Sequence, residues 1–136
     1  MILAEAWLTL LWVDLVISLL PYSRWRGWLV QPLAPVDVPA AADDNALDLE
    51  GIARLCAAAA RHHLRPMNCL RRTLALRRML RRRRLDAQVH IGVRRKAAVL
   101  EAHAWLSWRG RVLNDSADVE QRYAELQADQ WPGRGW

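Results

Sequence analysis

Three residues of chemically active type stand in an order and spacing that one small fold could gather: Cys69, His103 and Asp115. Cys69 follows Pro66 and Asn68, and asparagine is a good N-cap, so the cysteine is expected at the first position of a helix. A helix N-terminus carries partial positive charge and amide donors with no intrahelical partner. Both favour thiolate over thiol, and the same amides can bind the oxyanion of a tetrahedral intermediate. A free cysteine is more often a small buried hydrophobe, which is the reading for Cys56 on its apolar helical stripe. His103 sets Cys69 apart. A thiol nucleophile needs a base, and the base needs a third group to hold its tautomer. Asp115 is the candidate for that third role; capping of the turn Asn114-Asp115-Ser116 is its alternative.

The elements that must position these residues follow from periodicity. Leu70, Leu74, Leu76, Met79 and Leu80 give the apolar side of a helix over about 68–84, with eight arginines, at 71, 72, 77, 78 and 81–84, on the rest. Gln88–Val93 and Val99–Trp108 alternate as strands, and Val112–Asn114 reads as a third. The turn between the last two decides the register. A three-residue loop, Trp108-Arg109-Gly110, uses the glycine in a left-handed conformation and sets His103 opposite Asp115. A two-residue turn would set Ala104 opposite Asp115 and send the two side chains to opposite faces. The glycine's position favours the first.

Upstream, Leu49, Ile52, Leu55, Cys56, Ala59 and Ala60 mark a helix over 46–64, capped by Asp44 or Asn45. Prolines 32, 35 and 39 mark 22–45 as a connector. Residues 6–20 are almost continuously apolar and end at Pro21; the run is too short to span a bilayer and contains Asp14. It is expected to dock on protein, not in lipid. Val119 to Leu126 reads as helical. Helices followed by adjacent antiparallel strands make an α+β fold, one domain over 1–136 with its core at 46–126.

The net charge is +6, and nineteen of the twenty basic residues are arginines, which suits an anionic partner. No aromatics interleave with the arginine run, so it reads as a solvated helix face rather than a nucleic-acid patch. Two cysteines are too few for a disulfide scaffold and fit a reducing cytoplasm. No histidine–cysteine spacing suits a metal and no Gly-rich loop suits a phosphate, so no cofactor is expected. His62 and His63 suit a helix C-terminus and need no other role.

Asn68-Cys69-Leu70 with its arginine-rich helix, then His90-Ile91-Gly92-Val93, Ala102-His103-Ala104-Trp105-Leu106 and Leu113-Asn114-Asp115 together resemble the transglutaminase-like leader peptidases of lasso-peptide biosynthesis. The likeness runs from about Arg65 to Asp115. It implies a papain- or transglutaminase-like fold in which the cysteine helix packs on a small antiparallel sheet carrying the histidine and aspartate. It implies Cys69, His103 and Asp115 as a Cys-His-Asp triad that hydrolyses a precursor peptide between leader and core. It further implies a separate RiPP recognition element protein that presents the leader and an ATP-dependent macrolactam cyclase that closes the ring. The residues ahead of the likeness read as helices, so the stand-alone peptidase form without a fused recognition element is expected. His90 and Trp105 are secondary candidates for substrate contact. One departure stands out: no glutamine lies in 61–68 to complete the oxyanion hole, as papain-like enzymes often have. The alternatives are an acyl-transferring variant on the same triad, or an inactive module that binds an acidic peptide or nucleic acid through the arginine helix.

Overall fold

The computed structural model describes residues 1–29, 48–127 and 130. Its first helix, α1 (Ile2–Leu19), sinks Ala6, Leu10, Val13 and Val16 into a core shared with the two helices that carry the middle of the chain. Asp14 goes down with them and is only 2% exposed. A buried carboxylate survives only when paired and hydrogen-bonded, and Asp14 accepts from Arg71 Nε at 2.7 Å and from Arg65 Nη1 at 3.0 Å. The apolar helix therefore docks on the body of the protein through one face.

Pro21 ends α1, as expected, but it also starts a new helix. Its carbonyl accepts the amides of Arg24 and Trp25, and α2 (Tyr22–Leu29) follows. The start of the expected connector is thus helical, because proline's fixed φ suits a helix entry as well as an exit. The remainder of that connector, with Asp44 and Asn45, lies outside the described residues. The next helix, α3 (Leu49–Arg61), is capped by Asp48 instead, whose Oδ1 accepts from Gly51 N at 2.7 Å.

Asn68 caps α4 (Cys69–Arg82) as its type predicts, accepting from Arg71 N at 3.0 Å. The arginine face of α4 is less solvated than expected. Arg77 is 2% exposed and donates to the Ala87 carbonyl at 3.0 Å and to Asp86 at 3.3 Å. Arg83, just past the helix, grips Glu5 of α1 at 2.6 Å, and Arg78 lies 3.8 Å over the ring of Trp12. Much of the run fastens α4 to α1 and to the start of the sheet.

The sheet comprises β1 (Gln88–Lys96), β2 (Val99–Trp108), β3 (Arg111–Val112) and β4 (Ala124–Glu125), antiparallel in the order β3-β2-β1-β4. Ile91, Ala104 and Leu106 face the helical core, while Trp105 packs with Val119 and Tyr123 on the other side. The tail departs from its expected helix. Only α5 (Val119–Arg122) is helical, after which Ala124 and Glu125 pair with Val93 and Gly92. Gly92 makes this close approach possible: a Cβ there would stand 2.8 Å from Tyr123 Cβ and 2.9 Å from the Trp105 ring.

The hairpin also differs from its expectation. Arg109 (φ 49°) and Gly110 (φ 76°) form a two-residue turn that pairs Ser107 with Val112 and Trp108 with Arg111. Two consecutive left-handed residues make a type I′ turn, whose twist matches that of the strands. The expected three-residue loop assigned positive φ to the glycine alone; the structure places Arg109 there as well, with its guanidinium 4.3 Å over the Trp108 ring.

Asp14 is the residue through which α1 holds the start of α4. Asp14→Asn leaves Arg71 in place without its counter-charge and should cost roughly 3 kcal/mol in urea unfolding. Arg65→Ala, which removes the solvent-exposed partner, should cost less than about 1 kcal/mol. Equal losses in the two variants would show that Asp14 and Arg71 are not the principal pair.

Candidate active site

With the observed turn, an extended β2–β3 ladder would face Asp115 away from His103. The ladder does not extend. Its last backbone bond runs from Leu113 N to Leu106 O at 2.9 Å. The Leu106 amide is then met not by backbone but by the side chain of Asn114, whose Oδ1 accepts it at 2.8 Å. That substitution frees the chain to bend at 113–115. Asp115 lies outside the sheet, where strand parity no longer applies, and its Oδ2 meets His103 Nε2 in a short hydrogen bond. The pairing expected from sequence forms, by a route other than the expected register.

The other Asp115 oxygen is also occupied. Oδ1 accepts from Ser116 N at 2.7 Å and from Arg122 Nη2 at 3.0 Å. The turn-capping role and the histidine-orienting role therefore coexist on separate oxygens. Burial pushes the Asp115 carboxyl up, but the bonds from His103 and Ser116 and the charge of Arg122 outweigh it and hold the group below its ordinary value. The imidazole is fixed by its face as well, since Tyr123 stacks on it at 4.9 Å between centroids. Arg94 covers the Tyr123 ring at 4.7 Å and bonds Glu101 at 2.7 Å.

Cys69 stands where its sequence context predicts, at the first position of α4 and partly exposed. Thr73, one helical turn further on, donates through Oγ1 to the Ala104 carbonyl at 3.2 Å and accepts from Asn114 Nδ2 at 2.9 Å. Ala104 adjoins His103. Because β3 covers only Ser107 and Trp108, the edge of β2 beside His103 has no strand neighbour on that side among the described residues, and Thr73 of α4 meets it at the Ala104 carbonyl. Among the described residues no hydrogen bond joins Cys69 to His103 or Asp115. The asparagine cap takes the Arg71 amide, so the amides of Cys69 and Leu70 are the donors the helix leaves open at its start.

The remaining candidates sort by their surroundings. Cys56 is buried, with its thiol pushed up to about 11 by burial against the pull of Arg72. That bears out its reading as a core residue. His90 is held at both ring nitrogens, Nε2 by Ser107 Oγ at 2.6 Å and Nδ1 by Glu125 Oε1 at 2.5 Å. It stacks on Trp105 at 5.5 Å. Trp105 has no exposed surface, so here it packs between the two histidines instead of lining an open groove. A cleft of about 410 Å³ between α3, α4 and β3 is lined by Cys56, Arg72, Leu76, Asn114 and Asp115, but not by Cys69 or His103. No metal-holding group of three or more His, Cys, Asp or Glu occurs among the described residues.

Sequence reasoning missed the roles of Thr73, Asn114, Arg122 and Tyr123. Asn114 was legible as the residue before Asp115, but nothing in the pattern says that its amide replaces a strand partner.

A family model for the transglutaminase-like superfamily matches residues 12–128. No curated protein and no solved structure matches the chain.

Asn114 and Thr73 share one bond while each also serves β2. Asn114→Ala strands the Leu106 amide and should cost about 1–3 kcal/mol in urea unfolding. Thr73→Val should cost less. The double variant should fall short of the sum by at least about 0.5 kcal/mol, as partners in one network do. Strict additivity would show that the helix and the strand edge are not coupled through this pair.

Proposed function

The chain belongs to the transglutaminase-like superfamily, a group associated with the B proteins of lasso-peptide biosynthesis, and from that premise we propose that it is a cysteine peptidase that cleaves a lasso-peptide precursor between leader and core. The observation that supports the reading is the His103–Asp115 pair, made outside the ladder, in a chain that carries Cys69 at the first position of α4. A histidine whose Nε2 is held by a carboxylate keeps its Nδ1 as the nitrogen that can take a proton.

In this mechanism Nδ1 of His103 removes the thiol proton and Cys69 Sγ attacks the scissile carbonyl. The carbonyl oxygen, now an oxyanion, accepts from the open amides of Cys69 and Leu70. These donors answer the absence of an upstream glutamine. The imidazolium gives its proton to the leaving amine, and Asp115 stabilises the positive charge while it lasts. His103 then takes a proton from water, which attacks the thioester and releases the carboxylate and free thiol.

The likeness of residues 65–115 to leader peptidases supports the substrate and the setting: a cytoplasmic enzyme, a recognition element protein that presents the leader, and an ATP-dependent macrolactam cyclase that takes the freed core. The arginine helix gives less support to the alternative of a nucleic-acid module, because Arg71, Arg77 and Arg83 are engaged in ion pairs within the fold.

Incubation of the full chain with the precursor and the recognition protein, read by mass, tests the reading. Wild type should give leader and core fragments whose masses sum to precursor plus one water; a product joined to an amine would mean acyl transfer instead. Cys69→Ala and His103→Ala should each lower the rate at least about a thousandfold, and the double variant should be no worse than either, as residues acting in one unit behave. Asp115→Asn should lose less. A tenth of wild-type activity surviving in Cys69→Ala would overturn the mechanism.

A further inference from the structure

The buried face of α1 accounts for half of that helix. At about 100° per residue, Ala4, Leu8, Leu11, Trp12, Leu15 and Leu19 fall on the opposite side in one stripe. Leu8 is 61% exposed, Leu15 46% and Leu19 75%. No charged residue lies on the stripe. It runs from Ala4 to Leu19 of the helix, roughly 24 Å at 1.5 Å per residue. A contiguous apolar strip of that length marks an interaction site on a soluble protein.

The rim tells what it meets. Arg78 and Arg82 of α4 share a groove with Leu8 and Trp12. The acidic residue in the same groove, Glu5, is spoken for: Arg83 bonds it at 2.6 Å and Arg82 approaches it at 3.9 Å. The other carboxylate of α1, Asp14, is buried on the far face under Arg71. The exposed surroundings of the strip are therefore apolar and basic, on a chain of net charge +6. Arginine matches phosphate with paired donors, and its stem can lie along apolar surface while its head reaches headgroups.

We propose that this face of α1 lies on an anionic lipid surface, with the helix axis in the plane of the membrane. The arrangement is that of an interfacial helix, whose apolar side enters the acyl boundary while flanking cations hold the headgroups. Spanning is ruled out by the opposite face, which is packed on α3 and α4 and carries the ion-paired Asp14. The sequence expectation that α1 docks on protein holds for one face; the other is left for lipid. The proposal is independent of the peptidase reading.

Co-sedimentation of the full chain with phosphatidylcholine vesicles, with and without phosphatidylglycerol, tests it. Binding to the anionic vesicles should exceed binding to the neutral ones by at least about tenfold, since each surface arginine contributes about a factor of five, and it should weaken as salt is raised. Leu8→Glu/Leu15→Glu, at two exposed positions, should keep the helical signal and thermal midpoint and lose at least about tenfold in vesicle binding. No binding to phosphatidylglycerol vesicles, or binding that the double variant leaves intact, would overturn the proposal. A dimer in size-exclusion that the double variant disperses, without vesicle binding, would overturn it too and assign the strip to a second copy of the chain.

Discussion

An interior strand whose neighbour stops short leaves peptide groups that must be satisfied some other way. In this protein β3 ends two residues from the turn, and two peptide groups on that edge of β2 are met by side chains. Asn114 takes the Leu106 amide and Thr73 takes the Ala104 carbonyl, and the two side chains bond each other. One small network therefore sets three things at once. It ends the ladder so that Asp115 can turn toward His103, it seats α4 against β2, and it fixes the distance along α4 from that contact to Cys69.

The rest of the fold holds this corner in place. On the helical side, Asp14 reaches through the core to Arg71, in the turn that begins with Cys69, so the apolar α1 braces the start of α4. On the far face of the sheet, the return segment presses Tyr123 on His103 and brings Arg122 to Asp115. That approach depends on the bare backbone of Gly92. His90, locked between Ser107 and Glu125, ties the same return segment to β1.

Much of this was legible in the sequence because it rests on local signals. The Asn68 cap, the position of Cys69, the alternation of β1 and β2 and the burial of Cys56 follow from residue type and period. The hairpin was not, because Arg109 accepts a left-handed conformation that its type does not advertise. The tail was not, because Val119 to Leu126 is too short for its period to choose between helix and strand, and the choice is made by packing on Gly92. The histidine–aspartate pairing was anticipated through a register that does not occur. Side-chain replacement of a ladder bond by Asn114 has no periodic trace, so sequence could name the pair without giving its cause.

The central claim is that Cys69 and His103 act together, and the rate of Cys69 alkylation tests it most directly. Iodoacetamide applied to the native full chain at neutral pH should modify Cys69 alone, since burial keeps Cys56 a thiol, pushed up to about 11. In His103→Ala the same reaction at Cys69 should slow by at least about tenfold, because the imidazole no longer takes the thiol proton. Equal Cys69 rates in wild type and His103→Ala would contradict the account and leave the His103–Asp115 pair as a structural brace.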